Sequence, residues 1–244
     1  MADTAAHLVD HVLPDVPYRQ WVLSVPPPLR YLLAYDKELV SKVVGFFVGA
    51  IGSWQRHQAK LRYGLARCGD LQTGAVTVIQ RFGSALDLNL HLHVLVPDGV
   101  FVAPEGEGPV RFLKLGSPNL GEVRSVAWAT CTKTMALLRK QGRWFDADAG
   151  GGEGGEDRLA LDEPLLSEIY GASLQGTLAL GPNLRRVRDL IVRVLRLVEL
   201  PPKRGEPQRK NRAAYGFDVH AGVHIEAGKT RALERLCKYM LRTM

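Results

Sequence analysis

A closely spaced histidine pair lies within the segment from Gln80 to Val96. His91 and His93 are separated by one residue. Successive side chains of a β-strand point to opposite faces, so the two imidazoles are predicted to share one face. Two imidazoles at this spacing can chelate a single metal ion. Histidine pairs also occur without any function, and the pair alone leaves both interpretations open.

The residues around the histidines predict how their strand is oriented. Every second position is apolar, and this face is expected to lie on the core and to fix the register of the strand. The apolar positions are Leu88, Leu90, Leu92, Val94 and Val96. Asn89, His91 and His93 are therefore expected together on the opposite, polar face.

A tyrosine near the end of the chain is a second candidate for chemistry. From Thr230 onward the sequence predicts a helix whose buried stripe contains Leu233, Leu236 and Met240. Tyr239 falls on the margin of that stripe. A phenol there is either a nucleophile or an ordinary residue at the rim of the core, and the helical pattern allows both.

Strands and helices alternate along the chain in a way that favours an α+β domain with an antiparallel sheet. Pro97-Asp98-Gly99 predicts a tight turn. We expect one domain over residues 1–244. The predicted strands are 19–25, 75–82, 88–96, 100–103 and 217–226, the predicted helices are 29–62, 119–141 and 230–244, the turn region is 69–74, and the apolar segments 174–180 and 190–198 are of undecided type.

Positive charge is concentrated between residues 185 and 212. The whole chain carries a net charge of +7, an excess that favours polyanionic partners without identifying one. The basic block could contact a nucleic-acid backbone, or it could be a solvated surface. Residues 201–212 are predicted to form a basic loop, and the glycine-rich, acidic segment 146–157 a disordered loop. The candidate DNA-binding residues are Arg185, Arg186, Arg188, Arg204, Arg209, Lys210 and Arg212.

Composition bears on where the protein works. No apolar run is long enough to cross a bilayer, so we expect no membrane partner and a cytoplasmic location. Cys68, Cys131 and Cys237 are far apart, which favours a reducing compartment and buried structural thiols. The sequence does not indicate an oligomeric state.

Several segments together resemble the HUH endonuclease transposases of the insertion sequence 91 family, which are related to Helitrons and to rolling-circle replication nucleases. The resemblance covers nearly the whole chain. It rests on Ala5-Ala6-His7-Leu8-Val9-Asp10, Arg19-Gln20-Trp21-Val22-Leu23-Ser24-Val25-Pro26, Gln80 to Val102 with His91-Leu92-His93, Phe217-Asp218-Val219-His220-Ala221-Gly222-Val223 and Leu233-Glu234-Arg235-Leu236-Cys237-Lys238-Tyr239.

The family pattern implies an HUH nuclease core, in which a central antiparallel sheet is flanked by helices, and a role for each candidate residue. By this resemblance His91 and His93 hold a divalent cation, Mg²⁺ or Mn²⁺, and Tyr239 is the nucleophile that forms a 5′-phosphotyrosine bond with DNA. The partner is single-stranded DNA or a hairpin at transposon ends, and the setting is the bacterial nucleoid.

A third ligand is expected, since two histidines rarely hold a metal firmly. Gln80 is the first candidate because its strand is predicted to pair with the histidine strand, although it could equally be a hydrogen-bonding sheet residue. His220 and His224 come next.

The sequence also departs from the family pattern. Arg235 occupies the position where some members carry a second tyrosine, so the chain is expected to use one. The zinc-binding module expected before residue 1 and the region expected after the tyrosine are not in this sequence, which suggests a fragment. The missing ends favour one alternative, a remnant that binds DNA without cutting it. A second alternative, which sets the resemblance aside, is a metal-dependent hydrolase that uses His91 and His93 on a small molecule.

Overall fold

A computed structural model describes residues 2–65, 70–82, 88–104, 107–143 and 217–241. Helices and antiparallel strands alternate in this part of the chain, and the predicted α+β class is confirmed. The helices are α1 (Ala2–His7), α2 (Pro27–Tyr35), α3 (Lys37–Tyr63), α4 (Leu120–Lys140) and α5 (Thr230–Leu241), with a π-helical turn at Leu8–Val12. The strands are β1 (Tyr18–Ser24), β2 (Leu71–Gln72), β3 (Val76–Phe82), β4 (Leu88–Pro97), β5 (Gly99–Val102), β6 (Arg111–Lys114) and β7 (Asp218–Ile225).

The described residues form two sheets, of which the larger has the strand order β3-β4-β1-β7 with every pair antiparallel. Strand β4, which carries the histidine pair, is therefore an inner strand with β3 on one side and β1 on the other. The smaller sheet has the order β2-β5-β6 and packs against α3. A rigid, doubly paired strand is a suitable support for a site whose side chains must keep fixed positions.

The main core lies between the larger sheet and helices α2, α3 and α4. Leu90, Leu92, Val94 and Val96 all point into it and are almost completely buried, as their alternation predicts. Trp21 of β1 lies beside them and packs edge-on against Trp54 of α3, with the ring centroids 5.3 Å apart. The apolar face of the histidine strand thus fixes its register.

The opposite face of the sheet is also covered, which corrects the expectation of a polar face. Helix α5 packs there against α1, the π-helical turn and β3. The helices cover a second apolar cluster because Leu95 and Val78 lie on the histidine side of their strands. This cluster contains Ala5, Tyr18, Val78, Leu95, Leu233, Cys237, Met240 and Leu241. The histidines consequently lie beside an apolar cluster.

The prediction of a single long helix over residues 29–62 is wrong, because two helices occupy that segment. Asp36 separates them and adopts an extended backbone conformation. Its carboxylate accepts a hydrogen bond from the backbone N–H of Leu39 (2.8 Å), so it caps the start of α3. The periodic apolar pattern continues through the break, and this explains why periodicity alone did not reveal it.

Arg19 and Asp98 form a buried ion pair that joins distant parts of the chain. The guanidinium donates two hydrogen bonds to the carboxylate (3.0 and 2.9 Å), and both side chains are almost completely buried. Arg19 also donates to the carbonyl of Ala221 in β7 and to Ser117 Oγ ahead of α4. The pair therefore connects β1, β7 and the link between the two sheets.

The predicted turn Pro97-Asp98-Gly99 connects the two sheets. Gly99 pairs with Lys114 of β6, and a Cβ atom at position 99 would lie 2.3 Å from the carbonyl oxygen of Leu113. Only glycine allows this close approach of two backbones.

Four short elements were not predicted: α1, the π-helical turn, β2 within the expected turn region, and β6. The predicted loops 146–157 and 201–212, the apolar segments 174–180 and 190–198, and Cys68 lie outside the described residues. Cys131 and Cys237 are free and buried, and burial raises the pKa of the Cys131 thiol to about 12. Among the described helices, none is both long enough and apolar enough to span a membrane.

Candidate functional site

His91 and His93 project from β4 on the side covered by α5. Their ring centroids are 6.4 Å apart. Gln80 of β3 pairs directly with His91 in the antiparallel register, and Val78 pairs with His93. Because paired residues on adjacent strands point to the same face, the Gln80 amide is brought beside both imidazoles.

Both ring nitrogens of His93 contact glutamine side chains. The Nε2 atom lies 2.8 Å from Gln80 Oε1, and the Nδ1 atom lies 3.0 Å from Gln20 Nε2. His93 is only 5% exposed, whereas His91 and Gln80 are partly exposed. Burial lowers the pKa of His93, and the neighbouring charge of His91 lowers it further. The neutral imidazole, which is the form that binds metal, is therefore favoured.

Tyr239 completes the cluster from the last helix. Its ring centroid is 6.1 Å from that of His93, and the ring planes meet at 82°. Leu233, Cys237 and Met240 are buried on the inner side of helix α5 and hold it against the sheet. Leu236, which was expected in the same buried stripe, is only partly buried. Tyr239 is 57% exposed, so its ring touches the site while much of its surface faces solvent.

The donor atoms around the histidines are two ring nitrogens and one amide oxygen. No group of three or more histidine, cysteine, aspartate or glutamate residues suited to a metal occurs within the described ranges. A cation at this position would therefore use His91, His93 and the Gln80 oxygen. This mixed nitrogen and oxygen set fits Mn²⁺, and it accommodates Mg²⁺ if water completes the coordination.

His220 and His224 lie apart from this cluster. Both are on β7, which β1 separates from the histidine strand. His220 is exposed, and its ring lies against Gly222. The Nε2 atom of His224 is 3.1 Å from a carboxylate oxygen of Asp98. The structure brings neither His220 nor His224 to His91 and His93. Gln80 is therefore the best placed of the three candidates for a third ligand.

Gln20 is a site residue that the sequence reasoning missed. It lies on β1, is 3% exposed and contacts His93 directly. A buried polar residue in a strand usually has a specific hydrogen-bond partner, so a polar side chain within the apolar stretch of β1 was the available signal.

Two arginines extend from Tyr239 along the exposed side of α5. Arg231, Arg235 and Tyr239 are spaced four residues apart, so they form one stripe on the helix, and all three are exposed. Neighbouring Lys238 is engaged in an ion pair with Glu234 (2.6 Å). The predicted DNA-binding residues between 185 and 212 lie outside the described residues.

Comparison with protein families gave one informative match. A family model described as "Putative transposase" matches residues 74–244. This range includes the histidine strand, Gln80 and the helix of Tyr239. Comparisons with curated proteins and with solved structures gave no match.

Proposed function

Because the chain belongs to the transposase family that it matches over residues 74–244, we propose that it is the catalytic core of a rolling-circle transposase. It nicks and rejoins single-stranded DNA through a covalent bond to Tyr239. The observation that carries this proposal is the approach of Tyr239 to His93, at 6.1 Å between ring centroids, beside His91 and Gln80. A phenol beside a set of metal-ligand side chains is an arrangement suited to attack on a phosphodiester.

His91, His93 and Gln80 are the proposed ligands of a Mg²⁺ or Mn²⁺ ion. A bound divalent cation would polarise the scissile phosphate and offset the negative charge that develops during attack. The partly exposed edge of the cluster, formed by His91 and Gln80, leaves a side on which a phosphate can approach. Buried His93 anchors the site, and the lowering of its pKa by burial favours the neutral ring.

Tyr239 supplies the nucleophile. Its Oη forms a bond to phosphorus, and the bond from phosphorus to the 3′ oxygen breaks. The phenol proton passes to solvent, and the departing oxygen takes up a proton to become a 3′-hydroxyl. The energy of the phosphodiester is conserved in the 5′-phosphotyrosine bond, so a later attack by a 3′-hydroxyl can rejoin the strands without a nucleotide cofactor.

The stripe of Arg231 and Arg235 is the proposed path of the strand that leads to the nucleophile. A rise of about 1.5 Å per residue places successive members of the stripe about 6 Å apart along the helix axis. Two exposed guanidiniums at this spacing suit a backbone that repeats negative charges. The basic residues between 185 and 212 remain a further proposed contact with DNA.

A covalent adduct assay tests the proposal. The chain is incubated with labelled single-stranded DNA and Mn²⁺, then denatured and separated by mass. We expect a DNA-linked band with the wild-type chain and none with Tyr239→Phe. Tyr35→Phe is the matched control, since Tyr35 is also an exposed helical tyrosine but lies on α2, on the other side of the sheet.

Each alternative gives a different outcome. Free cleaved DNA without an adduct would indicate attack by water, as in a metal-dependent hydrolase. DNA binding with neither product nor adduct would indicate a remnant that only binds DNA. An adduct that survives in Tyr239→Phe would remove Tyr239 as the nucleophile.

A further inference from the structure

Gln20 lies where it can control the chemistry of His93. It occupies the middle of β1, and its side chain points to the same face as the histidines. Strand β1 pairs Val22 with His93 and Gln20 with Leu95, so Gln20 is the diagonal neighbour of His93. The distance of 3.0 Å between Gln20 Nε2 and His93 Nδ1 is that of a hydrogen bond, and both residues are at least 95% buried.

With the Gln20 amide in its present orientation, this contact indicates which ring nitrogen carries the proton. A neutral imidazole has one N–H donor and one acceptor nitrogen. The Gln20 amide nitrogen can only donate, so Nδ1 must accept and the proton must lie on Nε2. The Nε2–H then donates to Gln80 Oε1 at 2.8 Å. With both amides in these orientations, the two contacts are satisfied in this tautomer and neither is satisfied in the other one.

A cation bound at Nε2 requires the opposite tautomer. The proton must then leave Nε2 and a proton must be taken up on Nδ1, with no net change in charge. The new Nδ1–H needs an acceptor, and the carbonyl end of the same Gln20 amide supplies one after a half-turn of the amide group. Gln80 Oε1, released from Nε2–H, becomes available as a ligand.

We propose that Gln20 is a positioning residue that sets the tautomer of His93. Its amide nitrogen holds the Nε2–H form in the metal-free protein, and its carbonyl oxygen holds the Nδ1–H form that presents Nε2 to a divalent cation. The inference has two halves. The statement about the metal-bound protein (the metal-bound half) rests on the proposed cation site, whereas the statement about the metal-free protein (the metal-free half) does not. A carboxylate at position 20 would only accept hydrogen bonds and would favour a proton on Nδ1 in both states, so glutamine makes the site switchable.

The metal-free half is tested by NMR on ¹⁵N-labelled protein. Long-range ¹H–¹⁵N correlations distinguish the two tautomers of a histidine ring. We expect the wild-type chain to show His93 with its proton on Nε2, and Gln20→Glu to show a proton on Nδ1. A wild-type spectrum with the proton on Nδ1 would overturn the inference, as would a Gln20→Glu spectrum identical to wild type.

The metal-bound half is tested by calorimetric titration with Mn²⁺. Gln20→Met keeps the length of the side chain but removes both hydrogen-bonding ends, and the loss of such a partner is expected to weaken Mn²⁺ binding by about 10- to 100-fold. Gln20→Glu should bind at least as tightly as wild type. Thermal unfolding confirms that each variant is folded. If Gln20→Met does not fold, the Mn²⁺ affinity of Gln20→Glu tests the inference, and binding weaker than wild type would overturn it.

Gln55→Met is the matched control. Gln55 is 1% exposed and donates to the carbonyl of Pro97, but it lies on α3, away from the histidines. We expect its variant to keep the tautomer and the Mn²⁺ affinity of wild type. Equal Mn²⁺ affinity in wild type and Gln20→Met would overturn the role of Gln20 alone. A wild-type chain that bound no Mn²⁺ would overturn the proposed cation site together with the metal-bound half, while the NMR result would still decide the metal-free half.

Discussion

The edge of one ring meets the face of the other where Tyr239 approaches His93. The centroids are 6.1 Å apart and the planes lie at 82°. Perpendicular aromatic pairs are favourable because the positive edge of one ring meets the negative face of the other. The contact holds the phenol ring in a defined position beside the histidines, although the Tyr239 side chain is 57% exposed.

Replacing Tyr239 with phenylalanine should separate attack from binding. The substitution keeps the ring pair with His93 and removes only the hydroxyl of an exposed residue, so we expect the free energy of unfolding to change by less than about 0.5 kcal/mol. Mn²⁺ affinity should also be unchanged, while the covalent adduct is lost. Denaturant unfolding and calorimetry provide the measurements, and a large loss of stability would show that the hydroxyl has a structural role.

The two histidines should differ in their contribution to stability. His93 is 5% exposed and its removal leaves Gln20 and Gln80 without their ring partner, so His93→Ala is expected to cost about 1 to 3 kcal/mol. His91→Ala should cost less, because its side chain is only partly buried. Both variants should lose metal-dependent cleavage. Urea unfolding compares them with His57→Ala on the exposed side of α3, and equal costs for the two site variants would contradict this account.

Neutralising the arginine stripe should weaken the salt dependence of DNA binding. If Arg231 and Arg235 each contact a phosphate of a single strand, their joint replacement by glutamine should reduce the log–log slope of affinity against salt by about 1.4, at roughly 0.7 per contact. Fluorescence anisotropy at several salt concentrations measures the slope. Lys42→Gln with Lys133→Gln is the control, since both lysines are exposed on helices at the other face of the sheet. An equal slope change in both double variants would indicate a general charge effect.

Asp36 should make α3 sensitive to acid. The backbone hydrogen bond from Leu39 and the side-chain hydrogen bond from Arg143 lower the pKa of Asp36 below its usual value of 3.8. The folded chain therefore holds the proton less tightly than the unfolded chain. The contribution of Asp36 to stability is present above pH 3.8 and is lost as the pH falls through its folded pKa.

Asp36→Asn provides the test of this pH dependence, because asparagine can still accept the capping hydrogen bond but does not titrate. The difference in unfolding free energy between wild type and this variant should be greatest above pH 3.8 and should shrink below it. Urea titrations on both sides of that pH measure the difference. Asp10→Asn, at an exposed position in the π-helical turn, is the control. A difference that grew on acidification would refute the assignment.

Breaking the buried ion pair should be costly. Asp98→Asn leaves the Arg19 guanidinium charged and without its counterion in a position that is 3% exposed, so we expect a loss of about 3 to 5 kcal/mol. Glu226→Gln removes one partner of the exposed pair with Lys114 and should change stability little. Denaturant unfolding compares the two. Similar small effects would show that Arg19 finds another partner or that water reaches the pair.

Local pattern predicted the elements that carry the site, but it could not predict what covers them. The alternation from Leu90 to Val96 fixed which face of β4 lies on the core, and the position of Tyr239 beside the stripe of its helix followed from helical spacing. The opposite face was predicted to be polar, yet Val78 and Leu95 on that face belong to an apolar cluster. Whether a strand face is covered depends on which distant helix packs there, and no local repeat encodes the docking of α5 against α1.

Side-chain partners across strands depend on strand order, which the sequence indicated for one neighbour of β4 and not for the other. Gln80 was identified because its strand was expected to pair with the histidine strand, whereas Gln20 required knowledge that β1 lies on the other side of β4. The break at Asp36 was missed for a different reason, since the apolar periodicity continues through it and the capping contact of Asp36 is visible only in three dimensions. Strand order and capping geometry are tertiary information.

The strand order also bears on the sequence of events in folding. β1 pairs with β4, which is closer to it in the chain than β7 is, and with β7, whose Ile225 must find Tyr18 across most of the sequence. Closing a longer loop costs more entropy, and distant pairings form more slowly. We therefore expect Gln20, Gln80, His91 and His93 to assemble early and Tyr239 to arrive with the last helix. In that order, a newly made chain assembles the proposed cation ligands before the proposed nucleophile joins them.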